Sequence, residues 1–265
     1  YDVSLVYAWE KYMQDQSEIQ GAEAGLDFEW VINAAGRDPA RQAANIEDLI
    51  NQGVDIIIAR AEDAAAIGAS IRAADEAGIP FVTFDRASTT ATPAAHVGGD
   101  SYAQGLSTAE AFADLLTAND VVGKCIEVQG SLTDVNAVNR SNAWNEVDAA
   151  SDAYETIVQV PTEWDATLFL SGTANAIQAN PDANCIFLAS DFAITSVQSA
   201  LESAGKWAPT GEADHIWLAT QDLFPEALEA MEGGYIDVTT TYDAFEHAKE
   251  AVRVLTAVLS DEDPG

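Results

Sequence analysis

Cations are what this chain lacks most. Of its 265 residues 11 are Lys or Arg, against 44 Asp or Glu, for a formal charge of −33. So few cations cannot neutralise a run of phosphates, which excludes nucleic acid as a partner, and an anionic membrane face would repel the surface. Such acidity favours a soluble monomer and suits a salty medium that screens the carboxylates from one another. No apolar run approaches the roughly 20 residues of a membrane-spanning helix. Two cysteines, Cys125 and Cys185, are too few for a disulfide-built scaffold but enough for one bridge. His96, His215 and His247 stand far apart, without H-E-x-x-H or paired-cysteine spacing, so no metal centre is expected. The chain also has no G-x-x-x-x-G-K-[ST], G-x-G-x-x-G or G-x-S-x-G, and with them go the phosphate cradles and the nucleophile elbow. Nothing specifies catalysis or a cofactor.

What is present is a real core, at 48% apolar residues, and a regular alternation of strand and helix patterns. Candidate strands run over 3–8, 28–33, 54–59, 80–84, 95–98, 124–129, 155–160, 184–189, 215–219 and 236–241. Val54-Asp-Ile-Ile-Ile-Ala59 is nearly all apolar, as a parallel strand covered on both faces would be. Asp38-Pro39 opens a helix whose apolar Ala43, Ile46, Leu49 and Ile50 recur at helical spacing until Gly53. The stretch from Asp63 to Gly78 reads like that from Asp191 to Gly205, each following an apolar strand. The fold class is therefore α/β, with two similar doubly wound parallel-sheet lobes in tandem and a short change-over near Gly99-Asp-Ser101.

In open parallel sheets, ligands sit beyond the carboxyl ends of the strands. Ile79-Pro-Phe-Val-Thr-Phe-Asp-Arg delivers Asp85 and Arg86 to such an end, and Arg140 follows the strand-loop Cys125-Ile-Glu-Val-Gln-Gly130 in the other half. Two of seven arginines at such places point to a polar small-molecule site; structural ion pairs are the competing reading of each. Other strand ends suit a neutral, polyhydroxylated ligand: Trp9 and Tyr12 after the first, Trp164 in Pro161-Thr-Glu-Trp-Asp165, then Ser190 with Asp191, Gln221 with Asp222, and Tyr242. Planar amide, carboxylate and guanidinium groups can bond two adjacent hydroxyls at once, and aromatic faces lie flat on the C–H surface of a sugar. Trp30, Trp144 and Trp217 read as core.

In these residues the chain resembles the type I periplasmic binding proteins, the solute receptors of bacterial ABC importers, and within them the ribose-binding group. The pieces that carry the likeness are Asn45-Ile-Glu-Asp-Leu-Ile-Asn-Gln-Gly-Val-Asp-Ile-Ile-Ile58, Ala77-Gly-Ile-Pro-Phe-Val-Thr-Phe-Asp-Arg86, Glu127-Val-Gln-Gly130 with Arg140, and Ser190-Asp-Phe-Ala-Ile194, in that order. The resemblance implies two lobes (1–101 with 243–265, and 102–242) joined by crossing hinge strands, with a ligand cleft between them that closes on a sugar. It further implies that Asp85 and Arg86 hold hydroxyls from the first lobe and that Arg140, Trp164, Ser190 and Gln221 meet the ligand from the second. Asn136 beside Arg140 and a hinge-side Tyr242 complete the set. The ribose-binding group has Asn in place of Ser190, Asp in place of Gln221 and Gln in place of Tyr242. A polyol or another monosaccharide is therefore as good a candidate as ribose. Carried over, the function is capture of a small sugar or polyol outside the cytoplasm and delivery to the membrane permease of an ABC importer. An exported protein, possessing a removed leader before Tyr1 or a lipid anchor, is expected. The rival is the ligand-sensing core of a LacI-type transcription regulator, which shares the fold but needs a DNA-binding head. Cys125 and Cys185 begin strands that should be neighbours at matching register, so a disulfide or two buried thiols in contact is expected.

Overall fold

The computed structural model describes residues 3–265, with side chains from Trp9 onward. In chain order the elements are α1 (Val3–Ala24), α2 (Pro39–Gln52), β1 (Ile57–Ala59), α3 (Ile67–Glu76), β2 (Phe81–Phe84), β3 (Ala95–Val97), α4 (Ser101–Ala118) and β4 (Gly123–Gln129). Then follow α5 (Val135–Ala150), β5 (Tyr154–Pro161), α6 (Ala166–Ala179), β6 (Cys185–Leu188), α7 (Ile194–Ser203), β7 (Trp217–Asp222), α8 (Pro225–Glu232), β8 (Val238–Thr241) and α9 (Ala244–Leu259). The chain divides into two compact units. The first takes it up to Gly99, with Thr133–Val135 and Asp243–Gly265; the second has Asp100–Leu132 and Asn136–Tyr242.

In the first unit β1, β2 and β3 form a parallel sheet in that order, with Ile57 opposite Phe81 and Val82 opposite Ala95. Asp38 caps α2 by accepting from the Ala40 and Arg41 amides, Pro39 begins it, and Gly53 ends it in the left-handed conformation at φ 70°. Its buried Ile46 meets Ile57, Ile67, Ile71, Ala74 and Phe81 in one apolar cluster.

Two strand expectations fail in this unit. Val3-Ser-Leu-Val-Tyr-Ala8 belongs to helix α1. A short apolar run fits strand or helix equally. No Gly or Pro interrupts the residues after it until Gly21, so the helix runs on to the left-handed Gly25. Residues 28–33 make no ladder at all: β1 pairs with β2 alone, and Val31 and Ile32 stay exposed. An alternating pattern can mark a segment as strand-like, but a strand exists only where a neighbour offers hydrogen bonds. The run 54–59 shortens to Ile57–Ala59 for the same reason.

The second unit has a five-stranded, all-parallel sheet in the order β5-β4-β6-β7-β8. Successive residues alternate faces. Ile126, Val128, Ile186, Leu188 and Leu218 pack with Phe169, Ile177, Ile194, Val197 and Leu201. Cys125, Cys185, Phe187 and Ala219 pack with Phe112, Leu116, Trp144 and Val147. Helices thus cover both faces, which is the doubly wound arrangement. Trp144 is fully buried between Tyr154 and Phe187, with ring centroids 4.2 and 4.5 Å away, whereas Trp30 and Trp217 are half-buried. Cys125 and Cys185 stand opposite each other in neighbouring strands and are joined by a disulfide, their Cα atoms 4.4 Å apart. The sequence repeat is visible too: α3 and α7 both end on a left-handed glycine, Gly78 at φ 74° and Gly205 at φ 68°. Among the described residues no helix is long and apolar enough to cross a membrane.

Candidate functional site

Each unit gathers buried charge at the carboxyl ends of its strands. In the first, β2 delivers Asp85 in the left-handed region, φ 61°, with its amide held by the Val97 carbonyl at 2.7 Å. A chain of alternating charges follows. Arg60, just past β1, places Nε 2.5 Å from Asp85 Oδ2. Arg86 Nε lies 3.8 Å from the same oxygen and 2.7 Å from Asp134 Oδ2, and its Nη1 donates to the Ala61 carbonyl. Burial, reinforced by the neighbouring Arg60 charge, pulls the Arg86 pKa down. Burial also opposes the Arg60 charge, but Asp85 and Asp134 outweigh it and hold that guanidinium above its ordinary value. Trp9 lies edge-on to Phe84, 5.1 Å between centroids, and carries the Arg60 guanidinium 5.6 Å over its ring. Trp9 thus reaches this group from α1 and not from a strand end. Tyr12, one turn on, meets Phe245 of α9. A cavity of about 200 Å³ runs beside Trp9, Met13, Trp30, Ile57 and Arg60; Asp85 and Arg86 are outside its lining.

The second unit's cluster follows from its topology. The chain leaves β4 for β5 on one side and returns to β6 on the other, so the switch point lies between β4 and β6. Arg140 of α5 reaches the end of β6, where its Nη1 donates to the Ala189 carbonyl at 2.6 Å. Gly105 lets α4 pack closely on α5 here, since a Cβ there would lie 2.9 Å from the Arg140 Cα. Arg140 grips Asp222 with both prongs, Nη1 to Oδ2 at 3.1 Å and Nη2 to Oδ1 at 2.6 Å, and Nη2 also donates to Gln104 Oε1 at 2.8 Å. Ser190 donates to Asp222 Oδ2 at 2.5 Å. Gln221 is fully buried; its Oε1 accepts from Thr240, and its Nε2 has no hydrogen-bond partner among the described residues. An amide nitrogen left unbonded in the interior is costly unless something else satisfies it.

Trp164, at φ 56° after Glu163 at φ 51°, packs with Phe169 and Phe192 and lies over Gly130 at the end of β4. A Cβ on Gly130 would come within 2.1 Å of the indole. Asn136 sits in the first turn of α5, largely buried, and the Tyr242 amide donates to the Asp222 carbonyl at 3.3 Å. Asp191 departs from the expected ligand contact: it is fully buried, and both of its oxygens accept from the turn after β7. Left-handed backbone at Asp85, Trp164 and Asp222 marks three strand ends with strained conformations, which persist where surrounding structure over-determines them.

Both arginines singled out from the sequence therefore have carboxylate partners within their own unit. Arg60, Asp134 and Gln104 were not anticipated, nor was the pairing of Arg140 with Asp222 at the end of β7. Arg60 carries the same signal as Arg86, a scarce cation ending an apolar strand. Asp134 and Gln104 carry none that distinguishes them from the acidic and polar background.

Parallel α/β sheets, with buried charge and aromatics at the carboxyl ends of their strands, are the arrangement in which α/β proteins bind small molecules. The profile of the periplasmic binding protein domain matches residues 4–263, and the chain belongs to that family of solute-binding proteins, which are not enzymes. The ribose import binding protein of Salmonella typhimurium is 26% identical over 237 residues, spanning 89% of this chain and 76% of that protein. The xylitol-binding protein of Mycolicibacterium smegmatis is 25% identical over 238 residues, 89% of this chain and 65% of that one. Among solved structures, an ABC transporter solute-binding protein from Bacillus halodurans with bound myo-inositol superposes with a TM-score of 0.83 at 27% identity, over 96% of this chain and 86% of that one.

Proposed function

We propose that this protein captures a small neutral sugar or polyol outside the cytoplasm and delivers it to the permease of an ABC importer. The observation that carries the reading is the Arg140–Asp222–Ser190 cluster at the switch point of the second unit, beside the unbonded Gln221 amide. It offers fixed donors and acceptors at the place where open α/β sheets bind ligands. Vicinal hydroxyls both donate and accept, so they can bond the carboxylate and the guanidinium of one ion pair together. In the first unit Asp85 and Arg86 present the same combination, with Trp9 as the aromatic surface. In this reading Trp164 stacks on the ligand, and Tyr12, Asn136 and Tyr242 border it. Asp191 acts behind the contact set. The relatives' names support the ligand class: ribose, xylitol and myo-inositol are neutral polyhydroxylated molecules. Closure of the two lobes about a hinge would trap the ligand, and the closed form would be what the permease recognises. The division into 1–101 with 243–265 and 102–242 is part of this proposal. So are the monomeric state and export, with or without a lipid anchor.

A thermal-shift screen against pentoses, hexoses, alditols and inositols tests the reading, because a ligand that binds only the folded state raises Tm. At a hundred times its Kd a ligand adds about 2.7 kcal/mol of stability. A panel in which no neutral polyol shifts Tm, or in which only charged ligands do, would overturn it.

A further inference from the structure

We propose that Asp191 is a positioning residue for the Arg140–Asp222 pair: its ionised carboxylate holds the turn after β7 in place, and a proton on it slackens that turn and weakens binding. The binding half of this proposal rests on the reading above; the positioning half does not.

Asp191 Oδ1 accepts from the Phe224 amide at 2.9 Å, and Oδ2 accepts from the Leu223 amide at 3.1 Å and from Thr220 Oγ1 at 2.8 Å. Thr239 Oγ1 lies 3.4 Å from Oδ2. Each oxygen thus receives a backbone N–H, an arrangement that suits the carboxylate, which only accepts. Whichever oxygen takes a proton, one of the two amides loses a full acceptor.

Those amides belong to a strained turn. Asp222 and Leu223 have φ of 92° and 56°, both in the left-handed region. Two adjacent non-glycine residues do not stay there without an anchor. The same two residues aim the Asp222 carboxylate at Arg140 and Ser190. The repeat within the chain supplies a control: Asp63, the counterpart of Asp191, is partly exposed and caps only its own helix turn, through the Ala65 and Ala66 amides. Asp191 has turned away from that local duty to serve a neighbouring loop.

Asp222 is the charged group facing Asp191, with Arg140 behind it; β7 and β8 contribute the neutral Thr220 and Thr239, α7 the apolar Ile194, and Glu226 in the first turn of α8 points to solvent. Burial, then the Asp222 charge, pushes the Asp191 carboxyl up to about 7, while the Phe224, Thr220 and Leu223 donors act against the rise. The switch therefore falls near neutral pH.

Hydrogen exchange by NMR on the ligand-free protein, from pH 5.5 to 8.5 and corrected for intrinsic rates, reads the turn directly. Protection of the Leu223 and Phe224 amides should fall about tenfold on acidification through neutrality, with the Ile186 and Leu188 amides of β6 as steady references. The Arg140 guanidinium resonances should shift over the same range. Asp191→Asn should remove the pH dependence of all these signals. Thr220→Val, which deletes a donor that favours the ionised form, should move the midpoint to higher pH, and it stands in if the first variant does not fold. Calorimetric titration with ribose and with myo-inositol should show affinity weakening about tenfold from pH 8 to pH 6 in the parent and not in Asp191→Asn. Amides and guanidinium that ignore pH overturn the proposal, as does affinity that stays flat while the amides respond. If neither compound binds at any pH, the titration is made with the ligand that the thermal-shift screen finds, and the Arg140 resonances decide the positioning half: a shift tracking the amides supports it, and none overturns it.

Discussion

Arg140 and Arg86 show how one residue can be both structural and functional. Each guanidinium is buried against a carboxylate, Asp222 for Arg140 and Asp134 for Arg86. Removing one partner of a buried pair leaves an uncompensated charge, which costs about 3–5 kcal/mol. Arg140→Ala is therefore expected to lower the ligand-free Tm markedly, and the double variant Arg140→Ala/Asp222→Ala to recover much of that loss. Affinity for the best ligand of the screen should be lost in both, since neither presents the fork. Thermal melts beside calorimetric titrations separate the two effects; a single variant as stable as the parent would show that the pair contributes nothing to folding. The sequence alone leaves a ligand site and structural ion pairs as competing readings of each arginine, whereas the fold gives each a carboxylate partner. The difference lies in Asp134 and Asp222, partners distant in sequence whose approach no local pattern announces.

At the scale of elements, the disulfide between β4 and β6 closes a loop with a sequence separation of 60 residues. On chain-entropy grounds such a bridge contributes about 4 kcal/mol by restricting the unfolded chain. Unfolded, unreduced protein should therefore titrate no free thiol, and the Cys125→Ser/Cys185→Ser variant should melt well below the parent; two thiols per chain would disprove the bridge. Stability should also vary with pH through two buried groups. Burial disfavours the charged form of His215, but the Asp237 carboxylate and the Ala208 carbonyl outweigh it and raise its pKa. A histidine raised in the fold stabilises most below its unfolded value, and that contribution is lost as pH climbs through the raised one. Asp191, raised from 3.8 to about 7, has the same sign: the fold favours its neutral form, so stability falls as pH rises across that interval. Tm is expected to decline from mildly acid to alkaline pH, with Asp191→Asn flattening the part below neutrality and His215→Gln the part above. A parent Tm that rose across the whole range would contradict both assignments. If the ionised Asp191 also serves the site, the protein carries a strained, less stable turn for the sake of binding, a common trade.

At the scale of the whole molecule, the charge of −33 dominates. Repulsion among exposed carboxylates opposes the compact state and is screened within a Debye length of about 8 Å at physiological salt. Raising salt from low values should therefore raise Tm, while affinity for a neutral sugar stays nearly constant. A steep loss of affinity with salt would point to a charged ligand and against the function proposed here.

The α/β class, the tandem repeat, the α2 caps and the matching register of Cys125 and Cys185 were all legible in the chain, because they rest on local periodicity and on the backbone preferences of Gly, Pro and Asp. Arg86 and Arg140 stood out because cations are rare here and each follows an apolar strand, and Asp85 because it ends the same strand as Arg86. Periodicity could not decide whether 3–8 is helix or strand, nor supply 28–33 with a partner, since a ladder is a property of two segments. Nor could it find Arg140 gripping Asp222 across 82 positions, or Asp191 turning from a helix cap to a distant loop. Those outcomes depend on which groups the folded chain buries together, and burial sets both the strength of a charge pair and the pKa of a carboxylate.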